Sequence, residues 1–140
     1  MQTRALLDSN VFLFAFERPG CNSGRILRLL SEGALGGIVT DRIVREVLGY
    51  LRHRYSKDVG ARFRDFLLLL CELVLEDDLS SRADFVRVVG AADAGALAAV
   101  RALGIRYLVS TDSDFAGVPE WRTPREFVRE IGKRPQPGDE

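Results

Sequence analysis

Acidic residues stand in this sequence where apolar segments end, which is where a side chain could do chemistry rather than fill a core. Asp8 ends the apolar run "ALL", and Asp112 and Asp114 follow the apolar run "YLV". Glu46 comes six residues after the apolar run "GGIVT", and Asp93 opens an alanine-rich segment. Carboxylates gathered in one place repel one another and raise each other's pKa. Mg²⁺ or Mn²⁺ relieves this repulsion, because a hard divalent cation binds oxygen ligands and keeps water molecules for a phosphate substrate. Such a cluster suits phosphodiester hydrolysis, in which the metal lowers the pKa of a water.

Each of these acids also has an ordinary structural explanation when it is taken singly. Asp at the start of a helix is a common N-cap, which would account for Asp8 and Asp93. Asp112 and Asp114 could form a turn, and Glu46 could lie on the solvated face of an amphipathic helix. Only their joint placement on one edge of one sheet would favour a shared function.

The order of apolar patterns predicts an α/β domain. The segments "RALLD", "GGIVT" and "RYLVS" predict buried strands, and "ELVLE" and "EW" predict shorter ones. Helical spacing predicts a short helix after Asp8 and a second helix with Ser23 as its N-cap, which ends at the glycines before "IVT". Further helices are predicted in "DRIVREVLGYLRHRYSK", "VGARFRDFLLLL" and "DAGALAAVRALG", and a last one begins at Pro124. Alternation of short strands and helices predicts a parallel sheet covered on both faces. Ligands bind such sheets beyond the carboxyl ends of the strands, where Asp8 and Asp112 are expected.

Composition and length limit the classes of protein. The chain has 140 residues, 20 basic and 20 acidic, so its net charge of zero does not indicate a nucleic-acid binder. Arginines are nevertheless concentrated between residues 42 and 64, and Arg45, Arg52 and Arg54 are candidate contacts for RNA phosphates; a solvated helix face is the alternative. The longest apolar run is too short to span a membrane and the N-terminus lacks a signal-peptide pattern, which predicts a cytoplasmic protein.

The remaining expectations concern domain organisation and cysteine. We expect one domain over residues 1–132 and a disordered tail over residues 133–140, with no repeat and no linker. Cys21 lies in a turn-like segment and Cys71 in an apolar run that predicts a core position, so neither a disulfide nor a cysteine metal site is expected.

Four short motifs follow one another along the chain. The first is a strand followed by Asp-Ser-Asn, and the second is a hydroxyl residue that ends a strand, with Glu six positions later. The third is an Asp that opens an alanine-rich helix, and the fourth is a strand that ends in Ser-x-Asp-x-Asp-Phe. The residues that form them are Leu7, Asp8, Ser9, Asn10, Thr40, Glu46, Asp93, Ala98, Ala99, Ser110, Asp112, Asp114 and Phe115. In their order and spacing these motifs resemble the PIN-domain nucleases, and particularly the VapC-like toxin components of prokaryotic toxin–antitoxin systems.

The resemblance implies a PIN-like three-layer α/β/α sandwich with a short, mainly parallel central sheet. It also implies Mg²⁺- or Mn²⁺-dependent endoribonuclease activity, an RNA substrate, a homodimer and an antitoxin protein as partner. The matching metal-binding and catalytic acids are Asp8, Glu46, Asp93 and Asp112, with Asp114 as an acid of variable role and Asn10, Thr40 and Ser110 in support. Two departures are visible: the segment "GAAD" lacks the extra acid that many relatives have before the third motif, and Asp41 stands where proline is common.

Other classes of protein fit the sequence less well. A haloacid-dehalogenase-type phosphatase needs Asp-x-Asp after the first strand, where this chain has Asn10. A receiver domain needs a lysine after a late strand, and neither Lys57 nor Lys133 is so placed. No glycine-rich phosphate loop precedes a helix. A non-catalytic PIN-like module that binds RNA or a protein partner remains the alternative to a nuclease.

Overall fold

The central sheet determines where the candidate acids lie. The computed structural model describes residues 2–135, and within them the sheet has five strands, all parallel. The strands are β1 (Thr3–Leu7), β2 (Leu35–Thr40), β3 (Cys71–Val74), β4 (Tyr107–Val109) and β5 (Trp121–Arg122). Their order across the sheet is β3-β2-β1-β4-β5. The predicted strands are confirmed, including the two short ones at the edges.

Seven α-helices connect and follow these strands in the described part of the chain. They are α1 (Ser9–Glu17), α2 (Asn22–Ser31), α3 (Asp41–Arg54), α4 (Lys57–Leu70), α5 (Val86–Val89), α6 (Ala94–Leu103) and α7 (Pro124–Glu130). Three single 3-10 turns occur at Glu76–Asp78, Arg82–Phe85 and Ser113–Phe115. The short elements between β3 and α6 form the polar segment that the sequence pattern left without assigned structure.

The helices form two layers, one on each face of the sheet. Helices α1, α2, α3, α4 and α7 pack against one another, whereas α6 packs against α5 and the 3-10 turns that precede it. The chain moves outward from β1 to β2 and β3, and then returns past β1 to β4. Because parallel connections are right-handed, this reversal places the two sets of helices on opposite faces. The predicted three-layer α/β/α fold is therefore confirmed.

Close packing fixes the start of α6 against the sheet. Every residue from Ala94 to Val100 is buried, because glycine and alanine side chains let the helix approach the strands closely. The helix ends at Gly104, which adopts the left-handed conformation (φ 64°) that glycine accepts without strain. Asp93, which directly precedes α6, is held at the sheet edge by this packing.

One predicted helix boundary is wrong. Ser23 is not the N-cap of α2, since the helix begins at Asn22, the N-cap position is held by Cys21, and Ser23 is buried in the first turn. The preceding loop lies directly on this turn: the Pro19 carbonyl occupies the space that a Cβ atom at position 24 would need, so only Gly24 fits. This contact lets the chain enter the helix earlier than the position of a serine cap indicates.

The cysteines and the termini complete the description. Within the described residues neither Cys21 nor Cys71 forms a disulfide, and Cys71 is half-buried against the core, where burial raises the pKa of its thiol to about 12. Residues 133–135 have no regular structure, and the rest of the predicted tail, residues 136–140, lies outside the described residues. The domain boundary at residue 132 stays a prediction. Among the described helices, none combines the length and the apolar character needed to cross a bilayer.

Candidate functional site

Asp8 lies at the carboxyl end of the central strand β1, next to the point where the strand order reverses. Its Oδ1 accepts a hydrogen bond from the Ser9 N–H (2.9 Å), so it is an N-cap of α1, as one of the alternatives predicts. Its Oδ2 accepts a hydrogen bond from the Ser110 hydroxyl (2.7 Å), which comes from the end of β4. Burial raises the pKa of Asp8 despite these bonds from Ser110 and Ser9, and the nearby charge of Asp112 adds to the rise.

Asn10 and Ser110 tie the end of β4 to the start of α1. The Asn10 Nδ2 donates to the Ser110 Oγ (3.2 Å), and its Oδ1 accepts from the Thr111 N–H (3.1 Å). The Ser110 Oγ in turn accepts from the Asp112 N–H (3.0 Å). This network fixes the backbone that carries Asp112 relative to Asp8. The supporting role that the resemblance implies for Asn10 and Ser110 stays a prediction.

Three acids from two elements come close together beside Asp8. Asp93, Asp112 and Asp114 each offer a carboxylate oxygen within 4.8 Å of those of the other two. Asp93 occupies the N-cap position of α6 without making a side-chain capping bond, so its carboxyl group is available for other contacts. Burial, followed by the charges of Asp8 and Asp112, raises the pKa of Asp93 to about 7. Asp112 also closes a turn by accepting from the Asp114 N–H (2.9 Å).

Glu46 approaches the same group of acids from α3. Its side chain is exposed, but partial desolvation of the carboxyl group raises its pKa, and the negative charges of Asp8 and Glu76 raise it further. Arg42 and Arg45 offset part of this effect. Asp8 and Asp112 follow parallel strands, Glu46 lies early in the helix after β2, and Asp93 precedes the helix before β4, so the four predicted acids lie toward the carboxyl edge of the sheet.

Glu76 is a buried acid that the sequence patterns did not single out. Its Oε2 accepts a hydrogen bond from the Thr40 hydroxyl (2.7 Å), and the Thr40 Oγ1 itself caps α3 by accepting from the Ile43 N–H (3.2 Å). On its other side Glu76 packs against Gly95 in the first turn of α6, where a Cβ atom would overlap the carboxylate. Glu76 follows β3 closely, so the rule that drew attention to Asp8 could have found it. Glu76 was not predicted as a site residue because it belongs to a run of acids at residues 76–78, and such runs usually lie on a solvated surface.

The three predicted RNA-contacting arginines lie on α3 at different distances from the acids. Arg45 forms a partly exposed ion pair with Asp41 (3.1 Å) and is close enough to affect Glu46. Arg52 and Arg54 are exposed in the last turn of α3, about two helical turns beyond Glu46. Their contact with RNA stays a prediction.

The donor set of this edge fits a hard divalent cation. It consists of carboxylates, the oxygen ligands that Mg²⁺ and Mn²⁺ prefer. The pKa values of Asp8, Glu46 and Asp93 are all raised, first by burial and then by the charges of neighbouring acids, and both effects disfavour the ionised carboxylates. A cation bound among these groups would supply the missing positive charge.

Comparison with known proteins agrees with this geometry. The sequence model of the PIN domain matches residues 4–114, and the chain therefore belongs to the PIN domain family. Its fold is similar to that of a chain in a toxin–antitoxin complex from Klebsiella pneumoniae, with a TM-score of 0.67, 20% identity, and coverage of 87% of this chain and 98% of that one. It is also similar to a chain of VapBC2 from Rickettsia felis bound to a DNA fragment from its promoter, with a TM-score of 0.62, 15% identity, and coverage of 86% and 98%. No curated protein sequence matches the chain significantly.

Proposed function

We propose that this chain is a Mg²⁺- or Mn²⁺-dependent endoribonuclease that hydrolyses RNA phosphodiester bonds. The observation that carries the proposal is the close approach of Asp93, Asp112 and Asp114 beside the buried Asp8. Folding four carboxylates into one place costs stability unless a cation binds them. Membership of the PIN domain family supports the same conclusion.

The proposed roles follow from the contacts of each side chain. Asp8, Glu46, Asp93 and Asp112 hold the metal, and Asp114, which is the most exposed of the clustered acids, is a further ligand of variable role. When bound, the metal lowers the pKa of a water and neutralises charge on the phosphate. Ser110 and Asn10 keep Asp8 and Asp112 in register through their hydrogen bonds. Thr40 orients the first turn of the helix that carries Glu46.

Cleavage of single-stranded RNA by the purified chain tests this proposal. We expect Mn²⁺-dependent cleavage that EDTA abolishes, and a loss of at least about a hundredfold in Asp93→Asn, because several kcal/mol of transition-state stabilisation disappear with the metal. Asp65→Asn is the matched control, since Asp65 is an exposed acid of α4 whose ion pair in the described part of the chain is with its neighbour Arg64. Undiminished cleavage by Asp8→Asn, Glu46→Gln, Asp93→Asn and Asp112→Asn would disprove the nuclease site.

Metal binding can be measured separately from catalysis. A ligand that binds only the folded state raises stability by mass action, by about 2.7 kcal/mol at a hundred times its Kd. Millimolar Mn²⁺ should therefore raise the melting temperature of the wild type, and should raise that of Asp8→Asn less. If millimolar Mn²⁺ leaves the melting temperature of the wild type unchanged, the proposed metal site is excluded.

A non-catalytic PIN-like module that binds RNA or a protein partner is the second candidate. Such a module would bind RNA but would not cleave it, whichever divalent metal ion is added. The clustering of acids counts against it, because a surface that only binds RNA gains nothing from concentrated negative charge. The same cleavage assay, combined with a binding measurement, separates the two functions.

We further propose that the chain is the toxin of a toxin–antitoxin pair and acts in the cytoplasm. Both structural neighbours described above come from toxin–antitoxin complexes. An apolar groove of about 440 Å³ between α1, α2 and α4 offers a surface for a partner helix; it is lined by Phe16, Leu27, Phe63 and Phe66, with Arg28 beside them. Expression of the wild type in a bacterial host should arrest growth, while Asp93→Asn at equal abundance should not. Normal growth with the wild type would contradict the toxin role.

A further inference from the structure

A second pocket opens directly beside the acids. It has a volume of about 210 Å³ and lies between α1 and α3, lined by Asn10, Leu13, Phe14, Glu17 and Tyr50. Asn10 belongs both to this pocket and to the network that holds Asp8 and Ser110. A molecule bound at the acids would therefore find this pocket adjacent to it.

Helix geometry sets the direction of the pocket. Helices α1 and α3 both begin at the carboxyl edge of the sheet and pack against each other. Glu46 and Tyr50 are four residues apart and therefore share one face of α3, about 6 Å apart along the helix axis. Asn10 and Phe14 have the same relation on α1. The pocket thus leads away from the acids along the contact between the two helices.

The side chains of the pocket suit a flat ring with polar edges. Tyr50 is 39% exposed, and its hydroxyl donates to the Glu17 carboxylate (3.0 Å to Oε2), so the aromatic ring and the carboxylate lie side by side. The Tyr55 hydroxyl donates to the same carboxylate (2.9 Å). A carboxylate accepts about four hydrogen bonds, so Glu17 retains the capacity to accept one from a ligand.

The charges around the pocket favour a base, and not a phosphate, beside Glu17. The negative charge of Glu17 repels a phosphate but accepts an N–H group from a base edge. Positive charge lies beside the aromatic rings: Arg54 interacts with the Tyr50 hydroxyl and its guanidinium is 6.0 Å from the Tyr55 ring centroid, while the Arg18 guanidinium is 5.0 Å from that of Phe14. Aromatic rings that alternate with arginines are typical of surfaces that bind single-stranded nucleic acid, because bases stack and phosphates pair.

We propose that this pocket binds an unpaired base of the RNA substrate, next to the phosphate at the acids. The base stacks on Tyr50 and donates an N–H group to Glu17, and Arg54 contacts a phosphate farther along the strand. This inference rests on the proposed ribonuclease function. It adds that the substrate is single-stranded at this position. A base with an exocyclic amino group on its pairing edge, such as cytosine, is preferred to uracil, because the pairing-edge N–H of uracil lies between two carbonyl oxygens that the Glu17 carboxylate repels.

Binding of labelled oligonucleotides to the Asp93→Asn protein, followed by fluorescence anisotropy, tests the pocket without cleavage. Adding Tyr50→Leu should weaken binding of a single-stranded RNA about tenfold, because one stacking contact is lost. The matched variant Tyr50→Phe keeps the ring and should bind within about twofold of the parent. Duplex RNA of the same length should bind equally to all three proteins.

Glu17→Gln provides a second measurement that does not depend on loss of a ring. The parent should bind oligocytidine more tightly than oligouridine, and Glu17→Gln should narrow this difference, because an amide both donates and accepts. Equal affinities of parent and Tyr50→Leu, with no base preference affected by Glu17→Gln, would overturn the pocket. Unchanged RNA affinity together with an altered sedimentation coefficient would assign these residues to a protein contact and would also overturn it.

These outcomes separate the pocket from the proposed function. If the wild type does not cleave RNA with Mn²⁺ but its RNA affinity depends on Tyr50, the nuclease proposal fails and the base pocket stands. If the wild type cleaves RNA while Tyr50→Leu changes neither the affinity nor KM, the pocket fails and the nuclease proposal stands.

Discussion

Individual carboxyl groups in this molecule fall into two kinds, according to what surrounds them. Asp8, Glu46 and Asp93 are desolvated beside other negative charges, and the pKa of each is raised. Burial would also raise the pKa of Asp41, but the Glu76 N–H and the Arg45 guanidinium outweigh it and lower that pKa. Asp41 is thus stabilised by the protein itself, whereas the other three acids gain from an added cation.

The raised pKa of Asp93 predicts how stability depends on pH in EDTA. In the unfolded chain this group ionises near 3.8, and in the folded protein near 7. The folded state therefore holds a proton that the unfolded state has released, so its stability falls as pH rises from about 5 to 8. Thermal melts across this range should show a falling melting temperature in the wild type and a flatter profile in Asp93→Asn.

Asp65→Asn is the control for this pH profile, and it should keep the slope of the wild type. Adding Mn²⁺ should reverse the slope, because the cation binds the ionised carboxylates. A wild-type melting temperature that rises steadily from pH 5 to 8 in EDTA would contradict the proposed repulsion among the acids.

Asp112 and Asp114 are expected to have unequal roles. Asp112 is half-buried, follows β4 closely and is fixed through its N–H by Ser110, whereas Asp114 is exposed. Cleavage rates should fall by at least about a hundredfold in Asp112→Asn and by less in Asp114→Asn, because the better-positioned ligand contributes more to metal binding. An inactive Asp114→Asn beside a nearly normal Asp112→Asn would reverse this assignment.

At the scale of the elements, Glu76 connects three parts of the chain, two of which carry candidate acids. It accepts a hydrogen bond from Thr40 at the end of β2, follows β3, and packs on Gly95 at the start of α6. A methyl group at position 95 would overlap its carboxylate, so Gly95→Ala should lower the free energy of unfolding by about 1–3 kcal/mol. Denaturant unfolding measures this change.

Gly49 supplies the matched control for that substitution. It lies within α3 with nothing within 4 Å of the added methyl position, so Gly49→Ala should raise stability by about 0.5–1 kcal/mol, since alanine is the better helix former. Equal effects of the two substitutions would show that helix propensity, and not contact with Glu76, determines the result at position 95.

The sequence predicts elements well where their signals are local. Strand β1, the helix from Asp41 and the alanine-rich helix were found because apolar spacing and end residues depend on short segments. The same reasoning placed Asp8 and Asp112 at the carboxyl edge of a parallel sheet. The start of α2 could not be found, because the contact between Pro19 and Gly24 that accompanies it depends on the loop conformation. Glu76 was missed since its burial comes from packing against α6, which is distant in sequence.

At the scale of the whole molecule, the topology of the sheet concentrates negative charge in one place, although the net charge is zero. It brings four acids, Asp8, Glu46, Asp93 and Asp112, to one edge from four separate connections between strands. The base pocket and the arginines of α3 extend from the same edge. The proposed substrate would therefore be recognised by local features at one edge, with little attraction from the molecule as a whole.

Exposed leucines elsewhere on the molecule predict self-association. Four of them occur within one stretch of the chain. Two, Leu68 and Leu69, lie at the end of α4, and Leu69 is 82% exposed. The other two are Leu73, in the edge strand β3, and Leu75, directly after it. Soluble monomers rarely leave so many large apolar side chains together in water, and an edge strand beside them is a further site for contact. We expect this stretch to form the interface of the predicted homodimer.

Sedimentation equilibrium of the wild type and Leu69→Lys tests this interface. The wild type should sediment as a dimer at micromolar concentrations, and Leu69→Lys as a monomer, because a charge at the centre of an apolar contact opposes its desolvation. The melting temperature of the monomeric variant should lose its dependence on protein concentration, since only association produces such a dependence.

Because Leu69 makes little contact within its own chain, Leu69→Lys should keep the circular dichroism spectrum of the wild type. A dimer that survives Leu69→Lys would move the interface to another surface, and a wild type that remains monomeric would contradict the homodimer itself.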